Sequence, residues 1–214
     1  MKVCEIFHSI EGEGIRCGYP AVFVRLYGCN LACGYCDSRY ACQGDQFREL
    51  SPHQIVQRIG RYDCWRLTLT GGEPLLQPQT PELAHLLTEA GYELNIETNG
   101  SLDIGPYINN EKIIITMDSK LPTSDMAGQM LEANLPLLRR QDVLKFVASS
   151  QEDLLVAKSL IQAHKPICHI FFSPVFGRLA PVQIVDFLLC EGLNDCRLQL
   201  QLHKIVWDPQ QRGV

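Results

Sequence analysis

The 214-residue chain has no apolar run approaching the roughly 18 residues that a bilayer-spanning helix needs. Its opening stretch lacks the positive start and apolar centre of a secretory signal, and carries Glu5, Glu11 and Glu13 instead. Basic charge is scarce: 19 Lys and Arg stand against 24 Asp and Glu, a net charge of −5. A non-specific nucleic-acid binder needs a basic face to neutralise phosphates, so that class is excluded. A local basic pocket for a small anion is not. No repeat or low-complexity tract is present, which excludes collagen-like architectures. With 46% hydrophobic and 20% charged residues, the composition is that of an ordinary globular protein able to bury a core without staples. These absences predict a cytoplasmic protein without membrane or nucleic-acid partners, formed as one domain over residues 1–214.

Cysteine is not scarce. Ten in 214 is still only about half the density of a short disulfide scaffold, so the thiols are expected to be reduced.

Short apolar runs alternate with amphipathic ones. Ala21–Leu26, Arg66–Thr70, Glu93–Glu97, Lys112–Asp118, Asp142–Val147, Ile167–Phe172 and Arg197–Leu202 read as strands covered on both faces. Ser51-Pro52 and Thr80-Pro81 place a capping oxygen before a proline at the first helical position. Ser150-x-x-Asp153 resembles a capping box opening a helix to about His164, and Ala180-Pro181 opens another ending near Gly192. Pro122–Leu138 is helical at best in part. The alternation predicts a parallel sheet with right-handed crossovers. Six or seven strands are too few for a closed eight-stranded barrel. The predicted fold is an incomplete α/β barrel, ahead of a doubly wound sheet, with ligands at the C-terminal strand ends in either case.

Directly after Ala21–Leu26, Cys29, Cys33 and Cys36 fall within eight residues as C-x3-C-x2-C, beside Gly28 and Gly34. Three thiolates on one loop converge on a soft metal centre. Structural zinc wants a fourth ligand, usually a second C-x2-C or a His pair; neither is visible, although Cys42 and Cys64 are available. The spacing favours an iron–sulfur cluster with one iron left open, over zinc or three inert thiols.

This motif, followed by Gly71-Gly72-Glu73-Pro74 at the end of the next predicted strand, resembles the radical S-adenosylmethionine superfamily. Within it, Phe7–Asn30, the Cys-Asp-Ser at 36–38, the LTGGEP stretch and the terminal HK…RGV are similar to the 7-carboxy-7-deazaguanine synthase family, over most of the chain. The resemblance implies conversion of 6-carboxy-5,6,7,8-tetrahydropterin to 7-carboxy-7-deazaguanine with loss of ammonia, in a route to 7-deazapurines such as queuosine. It implies one [4Fe-4S] cluster, Mg²⁺, and S-adenosylmethionine acting as a regenerated cofactor whose 5′-deoxyadenosyl radical takes hydrogen from C6 of the pterin. A homodimer and an external electron donor are implied too.

The resemblance also assigns residues. Cys29, Cys33 and Cys36 would hold the cluster. Ile10, Glu11, Gly12, Thr70 and His203 match substrate contacts, although many relatives carry glutamine where this chain has Glu11. Arg25 interrupts an apolar strand, so it needs a partner, and the substrate carboxylate would supply a bidentate one. Ser38 matches the hydroxyl ligand of Mg²⁺. Tyr35, Cys36 and Asp37 would flank the adenine or ribose, Gly72 would meet the cofactor, and Glu97 a ribose hydroxyl. Asp118-Ser119-Lys120 departs at its first two positions from the Ser-Pro-Lys of some relatives; Asp118 and Lys120 resemble instead the D-x-K pair of radical activases. Val214 would turn its carboxylate to the pterin. The rival readings are a glycyl-radical activase with a protein substrate and a non-catalytic iron–sulfur module.

Overall fold

The computed structural model describes residues 1–214. Its nine strands are β1 (Lys2–Ile10), β2 (Pro20–Leu26), β3 (Arg48–Glu49), β4 (Arg66–Gly71), β5 (Glu93–Thr98), β6 (Ile113–Ser119), β7 (Val143–Ala148), β8 (His169–Pro174) and β9 (Cys196–Leu198). They form one sheet in the order β3-β1-β2-β4-β5-β6-β7-β8-β9. From β2 to β9 every neighbouring pair is parallel, while β1 runs antiparallel to β2 and β3 antiparallel to β1. The sheet has two edges and does not close.

Helices α1 (Pro52–Ile59), α2 (Thr80–Glu89), α3 (Gln151–His164) and α4 (Pro181–Cys190) pack on the sheet's outer side; a single turn, α5 (His203–Val206), follows β9. Ser51 accepts from the Gln54 amide and Gln54 answers to the Ser51 amide, a capping box that fixes the start of α1. Ser150 accepts from the Asp153 amide at the start of α3. Between β6 and β7 the chain makes only short 3-10 turns, beginning with Pro122–Ser124.

Two parts of the sequence reading need correction. Before Ala21–Leu26 lies a further strand, β1, whose polar and apolar residues mix because it bridges to the sheet's antiparallel edge. Of the expected strand Arg197–Leu202 only Arg197 and Leu198 lie in β9, which stops there, so His203 stands on α5 rather than at a strand end.

Strand side chains alternate between two environments. Val22, Val24, Leu67, Leu69, Leu94, Ile96, Ile115, Leu144, Phe146 and Phe172 face the helices and share one hydrophobic cluster with Ile55, Leu83, Leu154 and Phe187. The intervening positions face inward and are largely polar: Arg25, Thr70, Glu97, Asp118 and Lys145 line a cavity of about 610 Å³. One face of the sheet builds the core and the other builds a site.

Candidate active site

The cavity opens at the C-terminal ends of the parallel strands, where such folds bind ligands. The loop after β2 carries Cys29, Cys33 and Cys36 into it. No three His, Cys, Asp or Glu side chains are drawn together as a closed site for a single metal ion. The donor chemistry fits a soft iron–sulfur centre. The neighbouring Cys42 lowers the pKa of Cys29 to about 6 and that of Cys36 to about 7, while burial raises that of Cys33; the Cys42 thiol itself donates to the Ser38 carbonyl. The Leu31 amide and the Asn99 side chain also donate to Cys29 Sγ.

The Gly71–Gly72 turn is pressed against this loop. The Gly72 amide donates to the Leu26 carbonyl and the Glu73 amide to that of Gly28. A β-carbon on Gly72 would stand 2.3 Å from the Gly28 oxygen and 2.9 Å from Cys29 Cβ. The absence of side chains at 71 and 72 therefore serves the seating of the cysteine loop as well as any ligand.

Glu73 faces away from the cavity and is fully buried. Its Oε1 accepts from the Leu75 amide and Thr98 Oγ1, and its Oε2 from the Asn99 amide. Burial still raises its pKa to about 7. Glu73 thus ties the end of β4 to the end of β5. Glu73→Ala would leave the Leu75 and Asn99 amides and the Thr98 hydroxyl without this acceptor. A loss of about 1–3 kcal/mol in stability is expected, read as a lower midpoint in denaturant at pH 7.5; an unchanged midpoint would remove the brace.

The end of β1 supplies Ile10 to the cavity, and the turn between β1 and β2 supplies Glu11, Gly12 and Glu13. Glu11 is buried; its Oε1 accepts from Arg16 at 2.5 Å and also from the Thr68 hydroxyl. Burial raises its pKa and Arg16 opposes the rise. Gly12 is needed because the His203 ring abuts it: a β-carbon there would lie 2.2 Å from Nδ1. Leu202 also donates its amide to the Gly12 carbonyl, which fixes α5 against the turn.

Arg25 has two roles to divide. Its Nε donates to Glu5 Oε1 at 2.7 Å, and its guanidinium lies over the Phe7 and Tyr40 rings. Tyr40 Oη holds the same Glu5 oxygen at 2.7 Å. Sequence alone allows either the substrate carboxylate or an internal acid as its partner; the Glu5 pair is internal, while Nη1 and Nη2 make no protein hydrogen bond.

Asp37 Oδ2 pairs with Lys204 on α5 at 2.7 Å, and Ser38 Oγ donates to Asp37 Oδ1 at 2.9 Å. Having spent its proton on Asp37, the Ser38 oxygen keeps lone pairs for a hard cation, which fits Mg²⁺. Tyr35 also borders the cavity, and burial pushes its hydroxyl up to about 12.

On the far side, Asp118 bridges Lys120 and Lys145, each at 3.0 Å. Glu97 lies near them, its pKa raised to about 7 by burial against the pull of Lys145. Ser119 is buried and does not border the cavity: alternation along β6 turns it from the side that Asp118 faces. It is the one predicted site residue not brought to the others. Residues 209–214 fold back over the mouth, with Arg212 3.9 Å above the Tyr40 ring and Val214 on the cavity wall. Glu5, Glu13, Tyr40 and Lys145 were not assigned from sequence. A charged residue inside an apolar strand, the pattern that marked Arg25, would have found Lys145.

An open α/β sheet with three cysteines after its first parallel strand and a glycine pair against them defines a radical S-adenosylmethionine enzyme. The Radical SAM superfamily profile matches residues 23–119. The chain is 43% identical to a 7-carboxy-7-deazaguanine synthase of Clostridium acetobutylicum, over 100% of this chain and 99% of that one. It is 38% identical to one of Methanospirillum hungatei, over 98% and 86%. This chain therefore belongs to the 7-carboxy-7-deazaguanine synthase family. The crystal structure of QueE from Escherichia coli superposes with a TM-score of 0.77 at 24% identity, covering 94% of this chain and 93% of that one, and shares the fold. The structure of SuiB from Streptococcus suis shares it more loosely, at a TM-score of 0.57.

Proposed function

We propose that the chain is a carbon–nitrogen lyase that converts 6-carboxy-5,6,7,8-tetrahydropterin to 7-carboxy-7-deazaguanine with release of ammonia, in 7-deazapurine synthesis of the queuosine type. The observation that carries this reading is the full-length relationship to synthases of that name. Bound [4Fe-4S] and S-adenosylmethionine supply one-electron cleavage of a carbon–sulfur bond and, through it, hydrogen abstraction from the substrate.

The residues of the chain provide binding, orientation and exclusion of water. Cys29, Cys33 and Cys36 would hold the cluster. Tyr35, Asp37, Gly72, Glu97, Asp118 and Lys120 would receive S-adenosylmethionine, the acids accepting from its hydroxyl and amino groups. The free Nη1 and Nη2 of Arg25 would take the substrate carboxylate, with Mg²⁺ on Ser38 sharing it. Ile10, Glu11, Gly12, Thr70, His203 and Val214 would complete the pterin pocket. The protein would work as a cytosolic homodimer fed by a separate electron donor. The test is anaerobic turnover of the carboxy-tetrahydropterin with reductant, Mg²⁺ and S-adenosylmethionine. A deazaguanine product with little net consumption of the cofactor is expected; cofactor cleavage without product would overturn the reading.

Val214 yields a separate expectation. Removing Gly213 and Val214 should raise the pterin KM about tenfold, the equivalent of one lost hydrogen bond of roughly 1.4 kcal/mol. Cluster content should stay unchanged, and unaltered kinetics would return these residues to a frayed tail.

A further inference from the structure

Lys145 is a lysine on the inward face of an apolar strand, and it is 6% exposed. A buried ammonium persists only where it is paired. Here it has two partners from different segments of the chain. Its Nζ lies 2.5 Å from Glu13 Oε2, on the turn between β1 and β2, and 3.0 Å from Asp118 Oδ1, at the end of β6. Asp118 in turn holds Lys120 at 3.0 Å, and Glu97 on β5 acts on the Lys145 ammonium. The result is a chain of alternating charge, Glu13–Lys145–Asp118–Lys120. It runs from the turn that would receive the pterin to the strand end that would receive S-adenosylmethionine.

Two further observations give the chain a direction. Glu13 Oε1 is buried without any hydrogen-bond partner, although Oε2 of the same carboxylate is fully engaged. A buried carboxylate oxygen with no donor is costly unless something fills the place. On its other flank the turn is held by Gln199, which accepts from the Gly14 amide at 2.8 Å and donates to the Gly14 carbonyl at 3.2 Å. Glu11 with Arg16 and Thr68, and the Leu202 amide on the Gly12 carbonyl, also hold the turn; Lys145 is the fixing that connects it to Asp118 on the cofactor side.

We propose that Lys145 is a positioning residue. It holds the Glu11–Gly14 turn at a fixed distance from the Asp118–Lys120 strand end, with Glu13 Oε1 presented to an N–H of the bound heterocycle. The proposal rests on the synthase reading for the identity of that heterocycle. Its effect is to keep hydrogen abstraction in step with substrate seating: a loose turn would leave the substrate's C–H misplaced while the cofactor still reacts.

The experiment is a double-mutant cycle of Lys145→Met and Glu13→Gln in reconstituted protein, with Lys145→Arg as the conservative variant. Lys145→Met should raise the pterin KM roughly tenfold or more, the loss of one charge-assisted contact. It should also raise the 5′-deoxyadenosine formed per product several-fold, with iron content unchanged. Glu13→Gln should do the same, the double variant should be no worse than the poorer single one, and Lys145→Arg should recover part of the loss. Effects that simply multiply in the double variant, or an unchanged deoxyadenosine ratio, would overturn the proposal. Hydrogen exchange in the ligand-free protein separates it from the synthase reading. Lys145→Met should speed exchange of the Gly14 amide whatever the substrate is, and unchanged protection there sinks the brace even if turnover falls.

Discussion

Gly72→Ala is expected to yield a protein that folds yet takes up little or no iron on anaerobic reconstitution. The added methyl group would sit 2.3 Å from the Gly28 carbonyl oxygen and 2.9 Å from Cys29 Cβ, contacts that no side-chain rotation relieves. Either the glycine turn or the cysteine loop must retreat. The turn is the better anchored, through the Gly72 amide on the Leu26 carbonyl of β2 and the three donors on the Glu73 carboxylate from Thr98, Asn99 and Leu75. The loop should therefore move, and Cys29 with it. A cost of about 1–3 kcal/mol in stability is typical of such overpacking. Iron and sulfide per chain, together with the brown chromophore, are the measurements. Cys42→Ala serves as the contrast: its thiol lies beside Cys29 and Cys36 but outside the C-x3-C-x2-C motif, and the variant should keep its iron. Full iron loading in Gly72→Ala would show that the two loops are not coupled.

Arg25→Lys is expected to weaken pterin binding by roughly 10- to 100-fold, corresponding to about 1.5–3 kcal/mol for hydrogen bonds to a charged group. The arginine satisfies Glu5 through Nε and keeps two nitrogens for the cavity. A lysine has one nitrogen and cannot serve both. Cofactor cleavage in the absence of substrate should continue, because no cluster ligand is disturbed. The split between a raised KM and persistent uncoupled cleavage is the readout; a lysine variant that saturates like the parent protein would remove Arg25 from the carboxylate clamp.

The strand and helix pattern was readable because each parallel strand is a short apolar run and each helix has a marked start. Strand β1 was not. Lys2–Ile10 mixes Glu5 and His8 among apolar residues, since it lies at the sheet's antiparallel side and Glu5 is drawn toward Arg25. The cysteine loop and glycine turn are legible as motifs, but the reason for the glycines is only half visible: Gly28 and Gly72, 44 positions apart in the chain, touch only in the fold. Lys145 escaped notice because its partners, Glu13 and Asp118, are distant in sequence, and burial on both faces was assumed for β7. Ser119 fell on the wrong side because a tripeptide motif was read as a unit, whereas a strand sends its middle residue the other way.

The inward positions of the sheet stand in register across neighbouring strands: Arg25 beside Thr70, Glu97 beside Thr116, Asp118 beside Lys145. Each of these polar residues therefore has a polar neighbour directly across the strand pair. Altering Asp118 or Lys145 alone leaves a charge stranded on the adjacent strand. Re-specifying this pocket for another heterocycle is consequently a problem of paired substitutions, and libraries that vary one position at a time should return mostly inactive proteins while libraries that vary rungs should not.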